Sequence, residues 1–127
     1  MAESFQSSQP IYRQLADRIN KQILRGELKP GDKLLSVREM GIQVGVNPNT
    51  VQRTYRELEA MEIVETRRGQ GTFVTENQTI LLEMRERLKQ EEISQFVKEM
   101  HAIGYSDSEI KSGLLTFLQR GDGGDSE

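Results

Sequence analysis

Large aliphatic residues recur at helical spacing near the start of the chain, at Ile11, Leu15, Ile19 and Ile23. Steps of four residues place these side chains on one face of a helix, which is typical of a helix packed against a core. A proline precedes the series and a glycine follows it, as expected for the first helical position and for the residue after the last turn. The pattern predicts a first helix over about residues 10–25.

Two more helix starts follow closely. Ser36 and Glu39 have the spacing of a capping box, in which the hydroxyl and the carboxylate each accept a backbone N–H. They begin a second predicted helix, which runs to about Val44 and ends at Gly45. Asn47 and Pro48 then match the N-cap and the first position of a third helix, predicted to continue to about Met61. Two short helices joined by a short turn containing glycine are typical of a helix-turn-helix motif.

The third predicted helix has an apolar face, formed by Val51, Tyr55 and Leu58, and an opposite polar face. In the DNA major groove, arginine bonds well to the edge of guanine, and asparagine or glutamine to that of adenine. Because a recognition helix presents its N-terminal half to the groove, these residue types predict a DNA-reading helix. The polar face consists of Asn49, Gln52, Arg53 and Arg56. For Arg56, which stands close to two glutamates, a phosphate contact and a surface ion pair both remain open.

Beyond this helix the pattern changes to short runs of β-prone residues at positions 63–66 and 72–74. The segment Arg-Arg-Gly-Gln-Gly separates them and predicts a β-hairpin with a basic tip. Glycine allows the backbone to approach a phosphate closely, and arginine releases counterions from DNA. Residues 33–35 are predicted to form another short strand. A helix-turn-helix followed by such a hairpin, called a wing, predicts a winged-helix domain.

The last part of the chain is predicted to form two amphipathic helices, one over about residues 79–103 and one that begins with a capping box at Ser106 and Glu109. Two helices of this size cannot bury their large apolar residues unless they fold back on the first domain or associate with a second copy. We favour a two-fold dimer. The predicted dimer contacts are Leu81, Met84, Leu88, Phe96, Met100, Ile110, Leu114, Phe117 and Leu118.

Composition narrows the classes of function. The chain of 127 residues has no cysteine and one histidine, His101, which excludes a disulfide framework, a thiolate metal site and a histidine-rich metal cluster. His101 is expected to be a helix-end residue whose charge suits the helix dipole. No apolar run approaches a membrane span and the N-terminus lacks the features of a secretory signal, so we expect a cytoplasmic protein. No nucleophile and base are spaced for catalysis, so neither an enzyme nor a cofactor is expected.

The formal net charge of −3 does not by itself argue against DNA binding. Surface charges are screened beyond about 8–10 Å, so the local field matters more than the total. The acidic excess lies after residue 78, and no acidic residue stands between Val44 and Arg56. The sequence therefore predicts a narrow basic face.

Several of these motifs, in this order and spacing, closely resemble the N-terminal winged-helix domain of GntR-superfamily bacterial transcription regulators. The resemblance covers about residues 10–75. The short appendage and the Asn-Pro-Asn-Thr-Val form resemble the YtrA-like subfamily, whose members dimerise through the appendage and lack a large effector domain. The motifs are Pro10-Ile11-Tyr12, Gly31-Asp32-Lys33-Leu34, Ser36-Val37-Arg38-Glu39, Val46-Asn47-Pro48-Asn49-Thr50-Val51-Gln52-Arg53 and Arg68-Gly69-Gln70-Gly71-Thr72-Phe73-Val74.

The chain departs from the family pattern at three positions. Leu35 replaces the usual proline, which is expected to loosen the turn into the second helix. Gly41 replaces a common alanine, at an expected cost in helix stability of about 1 kcal/mol. Pro48 stands where many members have a basic residue, so one familiar DNA contact is missing.

The resemblance implies a mainly α fold: a winged helix-turn-helix domain with a β-hairpin wing over residues 1–78 and a two-helix dimerisation region over 79–120. The composition of residues 121–127 predicts a disordered tail. The resemblance also implies contacts to double-stranded DNA from the second helix, the recognition helix and the wing. The residues at the matching positions are Arg38, Asn47, Asn49, Thr50, Gln52, Arg53, Arg68, Gly69, Gln70 and Gly71.

The expected function is that of a sequence-specific transcription regulator, by default a repressor, that binds an inverted repeat as a homodimer. The family also suggests control of a nearby transporter operon, and a small-molecule effector is a further candidate partner that no residue identifies. The alternative is a winged-helix protein-interaction module in which the arginines are paired with acids.

Overall fold

The computed structural model describes residues 8–121 and contains five helices and one two-stranded antiparallel sheet in that range. Apart from Gly121, the predicted disordered tail lies outside the described residues. The order of elements confirms the predicted mainly α fold with a hairpin wing. The elements are α1 (Ile11–Leu24), α2 (Val37–Val44), α3 (Pro48–Ala60), β1 (Val64–Arg67), β2 (Gly71–Val74), α4 (Gln78–Ala102) and α5 (Asp107–Arg120).

The chain divides into two compact units, the first ending at Arg85 and the second beginning at Glu86. The first two turns of α4 are therefore part of the winged-helix unit. Met84, in these turns, is 1% exposed. The first unit thus extends beyond residue 78, where the sequence pattern placed the end of the domain.

The core of the first unit lies where α1 packs against α3 and α3 packs against α2. Leu15, Ile19 and Ile23 of the aliphatic series of α1 are buried in this core, whereas Ile11 at the start of the helix is 45% exposed. From α3, Val51 and Leu58 are fully buried. Burial of these side chains supplies most of the favourable free energy of packing, since apolar surface leaves water.

Local side-chain caps begin three of the helices as the sequence predicts. At the start of α2, the Ser36 hydroxyl accepts the Glu39 N–H at 3.1 Å and the Glu39 carboxylate accepts the Ser36 N–H at 3.0 Å. The Asn47 side chain accepts the Asn49 N–H at 2.7 Å at the start of α3. The capping box of α5, formed by Ser106, is also present. Each cap satisfies donors that the helix itself leaves unpaired.

The turn between α2 and α3 is closed by the backbone around Gly41. Gly45 adopts a left-handed conformation with φ of 70°, and the Val46 N–H donates to the Gly41 carbonyl at 2.9 Å. A Cβ atom at position 41 would lie 2.6 Å from the Val46 carbonyl oxygen. The expectation that Gly41 merely weakens α2 is therefore incomplete, because this turn leaves no room for the alanine methyl group.

The wing is a regular hairpin in which Val64 pairs with Val74 and Arg67 with Gly71. The predicted strand at residues 33–35 is reduced to a single bridge between Lys33 and Phe73. The Leu34 N–H donates to the Thr72 carbonyl and the Val74 N–H donates to the Asp32 carbonyl, each at 2.8 Å. These two bonds fix the segment along the hairpin. The prediction of a strand was wrong in extent because the segment turns away towards α2 after one paired residue.

A buried tyrosine fixes the same segment from the other side. The Tyr55 hydroxyl of α3 donates to the Leu35 carbonyl at 2.7 Å, and Tyr55 is 5% exposed. Burial is the main cause that raises the pKa of Tyr55 above its ordinary value, and the nearby Glu39 carboxylate raises it further. This bond holds the turn that the leucine at position 35 was expected to loosen.

The second unit contains the α4–α5 turn. His101, in the last turn of α4, has its Nε2 atom 2.6 Å from the Asp107 Oδ1 atom at the start of α5. Ile110 of α5 is buried. Within residues 8–121, no helix combines the length and the apolar character needed to cross a membrane.

Replacing Gly41 with alanine is expected to destabilise the protein by about 1–3 kcal/mol, because the methyl group collides with backbone rather than with a flexible side chain. The matched control is Gly113→Ala on α5, where a Cβ atom meets nothing within 4 Å. That change should stabilise its helix by about 1 kcal/mol through helix propensity alone. Urea unfolding followed by circular dichroism measures both, and an equal gain from both substitutions would contradict the steric argument.

Replacing Tyr55 with phenylalanine is expected to cost about 1 kcal/mol at neutral pH, since the Leu35 carbonyl loses its donor. Tyrosine in the unfolded chain ionises near pH 10, whereas folded Tyr55 resists ionisation. The wild-type advantage should therefore be complete below about pH 10 and decline above it by about 1.4 kcal/mol per pH unit. The measurement is the difference in unfolding free energy between the two proteins from pH 7 to pH 11. A difference that stays constant above pH 10 would contradict the raised pKa.

Candidate nucleic-acid interface

The helix α3 presents the two faces that its sequence predicts. Val51, Thr54, Tyr55 and Leu58 are buried, whereas the predicted base-reading side chains are directed to solvent. Thr50 is half-buried at the edge between the two faces. The exposed residues are Asn47, Asn49, Gln52, Arg53 and Arg56.

Arg53 lies against an aromatic ring from another helix. Its guanidinium carbon is 3.9 Å from the centre of the Tyr12 ring, which belongs to the first turn of α1. Fully buried Thr54 links the same two helices, because its hydroxyl lies 3.0 Å from the Tyr12 carbonyl and 3.0 Å from the Thr50 carbonyl. On Tyr12, a hydrogen bond with the Arg13 guanidinium is the main cause that lowers the pKa of the phenol.

Arg38 is exposed in the first turn of α2 and makes no ion pair within residues 8–121. Its sequence neighbour Glu39 is already used in the capping box. The Ser36 backbone N–H is the main cause that lowers the pKa of Glu39, and the Ser36 side chain is the second. The nearest carboxylate along the chain is thus held by the helix cap.

The two arginines of the wing have different surroundings. Arg67 contacts Glu65, with Nη2 2.9 Å from Oε2, and lies over the Phe73 ring with its guanidinium carbon 4.1 Å from the centre. Arg68 is exposed at the tip, beside Gly69 with φ of 76°. The Gln70 N–H donates to the Arg67 carbonyl at 2.8 Å and closes the turn. The tip therefore presents Arg68, while Arg67 stabilises the hairpin.

Sequence reasoning missed Lys33 as a member of this surface. A Cβ atom at Gly71 would lie 2.7 Å from the Lys33 Cε atom and 3.6 Å from Nζ, so the lysine stem crosses the base of the wing. The bridge between Lys33 and Phe73 brings this about, and it joins residues forty positions apart. In the sequence, Lys33 stood out only as part of a short β-prone run and of the Gly31-Asp32-Lys33-Leu34 motif, and neither placed it beside the wing.

Four arginines of the predicted interface have no ion pair among the described residues. Among residues 8–121, no carboxylate lies within ion-pair distance of Arg38, Arg53, Arg56 or Arg68. For Arg53 and Arg56, this excludes the intramolecular ion pairs that a solvated helix face often forms with glutamates one turn away. Unpaired guanidinium groups on α2, α3 and the wing can donate to phosphates and to guanine.

The predicted dimer contacts fall into two groups. Met84 and Ile110 are 1% and 7% exposed within a single chain, so they belong to the core of the protomer and not to a surface open to a second copy. Helical spacing showed that both lie on an apolar face but did not show that the same chain covers them. Leu81, Leu88 and Met100 are half-buried. Four predicted contacts are exposed, and further exposed apolar residues lie on the same two helices. The exposed predicted contacts are Phe96, Leu114, Phe117 and Leu118, and the further residues are Leu82, Ile93, Ile103 and Leu115.

Comparison with known proteins agrees with this geometry. Residues 11–74 match the family described as bacterial regulatory proteins, gntR family. The HTH-type transcriptional regulator YhcF of Bacillus subtilis (strain 168) is 53% identical over 121 residues, which are 95% of this chain and 100% of that protein. The HTH-type transcriptional repressor YtrA of the same strain is 43% identical over 99 residues, covering 77% of this chain and 76% of YtrA.

Two solved structures extend the comparison. A GntR family transcriptional regulator from Listeria monocytogenes has a TM-score of 0.79 and 37% identity, covering 88% of this chain and 98% of the other. The AraR DNA-binding domain in complex with operator ORX1 has a TM-score of 0.54 and 28% identity, covering 58% of this chain and 96% of that domain. The winged helix, its cap and turn motifs, and these relatives together show that the chain belongs to the GntR family of bacterial regulatory proteins.

Proposed function

We propose that this GntR-family regulator binds a specific inverted-repeat operator as a homodimer and represses transcription by occupying a promoter. Its family and relatives are transcription regulators rather than enzymes. The observation that carries the proposal is the set of exposed arginines on α2, α3 and the wing that have no carboxylate partner within residues 8–121. A local positive field of this kind attracts DNA although the whole chain carries a net charge of −3.

In the proposed interface, one set of residues reads bases and gives specificity, and another set contacts phosphates and gives affinity. Asn49, Gln52 and Arg53 read base edges in the major groove, since their side chains are exposed on the N-terminal half of α3. Arg38 and Arg56 contact phosphates. The Asn47 oxygen is engaged in the cap of α3, so this residue contributes its amide N–H groups and the orientation of the helix N-terminus.

The wing adds sequence-independent contacts. Arg68 supplies charge, and Gly69, Gln70 and Gly71 supply a narrow backbone that approaches a phosphate or the groove floor. Lys33 lies beside Gly71 and adds a second cation at the base of the wing. The AraR DNA-binding domain, solved with an operator, supports the use of this fold on DNA.

Uncovered apolar surface supports the homodimer. In α5, the large side chains Leu114, Leu115, Phe117 and Leu118 are 43–64% exposed in the single chain. A contiguous apolar surface of this kind on a helix is typical of a protein–protein contact. A second copy covers it most simply, and a two-fold dimer places two winged helices on two half-sites.

The proposal extends to regulation in three respects. YtrA is a transcriptional repressor, which favours repression, and the resemblance to YtrA-like regulators favours a transporter operon as the target. The protein acts in the cytoplasm, where such an operon is transcribed. A small-molecule effector enters the proposal only as a partner that would change the spacing of the two half-sites.

The protein-interaction alternative requires arginines paired with acids, and among the arginines of the predicted interface the described residues show no such pair.

Selection of bound fragments from a random double-stranded DNA pool at near-physiological salt tests the proposal. We expect an enriched inverted repeat whose half-sites lie about one helical turn, or a multiple of it, apart. Sedimentation of the free protein and of its complex with the enriched duplex gives the number of chains. An enriched single half-site bound by one chain would contradict the dimer, and no enrichment at either physiological or low salt would contradict DNA binding.

Two arginine substitutions separate base reading from phosphate binding. Arg53→Ala is expected to weaken binding to the enriched duplex by about 1–3 kcal/mol and to relax preference at one position of each half-site. Arg68→Ala should weaken all sequences similarly and reduce the salt slope of binding by about one per subunit. Titrations at several salt concentrations measure both effects.

Arg25→Ala is the matched control, because Arg25 is exposed in the first unit but pairs with Glu27 at 2.7 Å. It removes the same charge and should leave affinity and salt slope nearly unchanged. An equal loss from all three substitutions would show that only total charge matters, which would overturn the assignment of Arg53 as a base-reading residue.

A further inference from the structure

The contact between Tyr12 and Arg53 joins the start of α1 to the exposed face of α3. The guanidinium carbon lies 3.9 Å from the ring centre, well within the range of cation–π attraction. Tyr12 belongs to neither the helix-turn-helix nor the wing. We propose that Tyr12 is a positioning residue that holds the Arg53 guanidinium ready for base reading, an inference that rests on the proposed function.

An exposed arginine on a helix ordinarily samples many rotamers or pairs with a carboxylate one turn away. Glu57 occupies that position relative to Arg53, yet no ion pair joins the two side chains within residues 8–121. The difference matters because a carboxylate occupies the N–H donors of a guanidinium, whereas an aromatic ring contacts its face. Contact with Tyr12 restrains Arg53 while its donors stay available for a guanine edge.

The Tyr12 residue is itself held in place by the fold. The Thr54 hydroxyl, fully buried in α3, lies 3.0 Å from the Tyr12 main-chain carbonyl and fixes the start of α1 against the helix that carries Arg53. The Arg13 guanidinium is more distant, with its carbon 5.8 Å from the centre of the same ring. The Thr54 bond to the Tyr12 main chain gives this residue a defined place relative to α3, and a substitution of the ring would retain that bond.

Holding Arg53 before DNA arrives reduces the conformational entropy lost on binding, because long side chains otherwise lose their rotamer freedom in the complex. This gain is specific to base reading, since it acts on one donor group and not on the total charge. The contact is thus expected to affect affinity for the preferred sequence more than affinity for unrelated DNA.

The experiment compares Tyr12→Leu and Tyr12→Phe with the wild type, using the duplex enriched by selection and a scrambled duplex of the same length. Tyr12→Leu should lower affinity for the enriched duplex by about 3- to 10-fold, with little change on scrambled DNA and an unchanged salt slope. Tyr12→Phe retains the ring face and should bind within about 2-fold of the wild type. In an Arg53→Ala background, Tyr12→Leu should cause no further loss. Thermal unfolding of each variant checks that the first unit remains folded.

A measurement without DNA tests the contact itself. The side-chain proton resonances of Arg53 should show an upfield ring-current shift in the wild type and in Tyr12→Phe, and lose it in Tyr12→Leu. If the wild type binds the enriched duplex but Tyr12→Leu binds equally well, the proposed role of Tyr12 is overturned while the proposed function stands. An equal loss in the Arg53→Ala background, or a Tyr12→Phe protein as weak as Tyr12→Leu, would also overturn it. Failure of the wild type to enrich or bind any duplex would overturn both proposals.

Discussion

The packing of α3 against α1 is the interaction on which the first unit depends. It buries Leu15, Ile19, Val51 and Leu58 and encloses the hydroxyl of Thr54. A polar group in such a place destabilises a core unless it is hydrogen-bonded, and here carbonyl oxygens of both helices are within reach. Because that bond depends on one relative placement of α1 and α3, it also sets the direction of the exposed face of α3. The placement of the base-reading side chains is therefore a consequence of core packing.

Charge is arranged in the first unit so that acids serve the fold and several arginines remain unpaired. Glu39 caps α2, and Glu65 holds Arg67 against Phe73 within the hairpin. The negative charge of each carboxylate is offset by the groups that it contacts directly, the helix cap for Glu39 and Arg67 for Glu65. A chain with more acids than bases can thus carry a basic surface, because screening limits each charge to its neighbourhood.

Much of the fold could be predicted because its determinants are local. Capping residues lie within three positions of the groups that they satisfy, and helical periodicity is visible over a few turns. The contacts made by Tyr12, Lys33 and Tyr55 could not be predicted, since each joins segments twenty or more positions apart. Periodicity also failed to separate Met84 and Ile110 from exposed apolar residues, because it identifies an apolar face but not the partner that covers it. The residue types of the candidate interface were visible in the sequence, whereas their freedom from ion pairs required coordinates.

The close approach at Gly41 bears on how such regulators could be recombined. The carbonyl of Val46 occupies the space of a side chain at position 41, so the end of α2 and the entry to α3 fit only as a pair. Grafting the recognition helix of another regulator onto this scaffold would bring a foreign turn against that glycine, or this turn against a foreign alanine. The smallest exchangeable module is therefore the segment from Gly41 through the end of α3, in which the turn and the helix are transferred together.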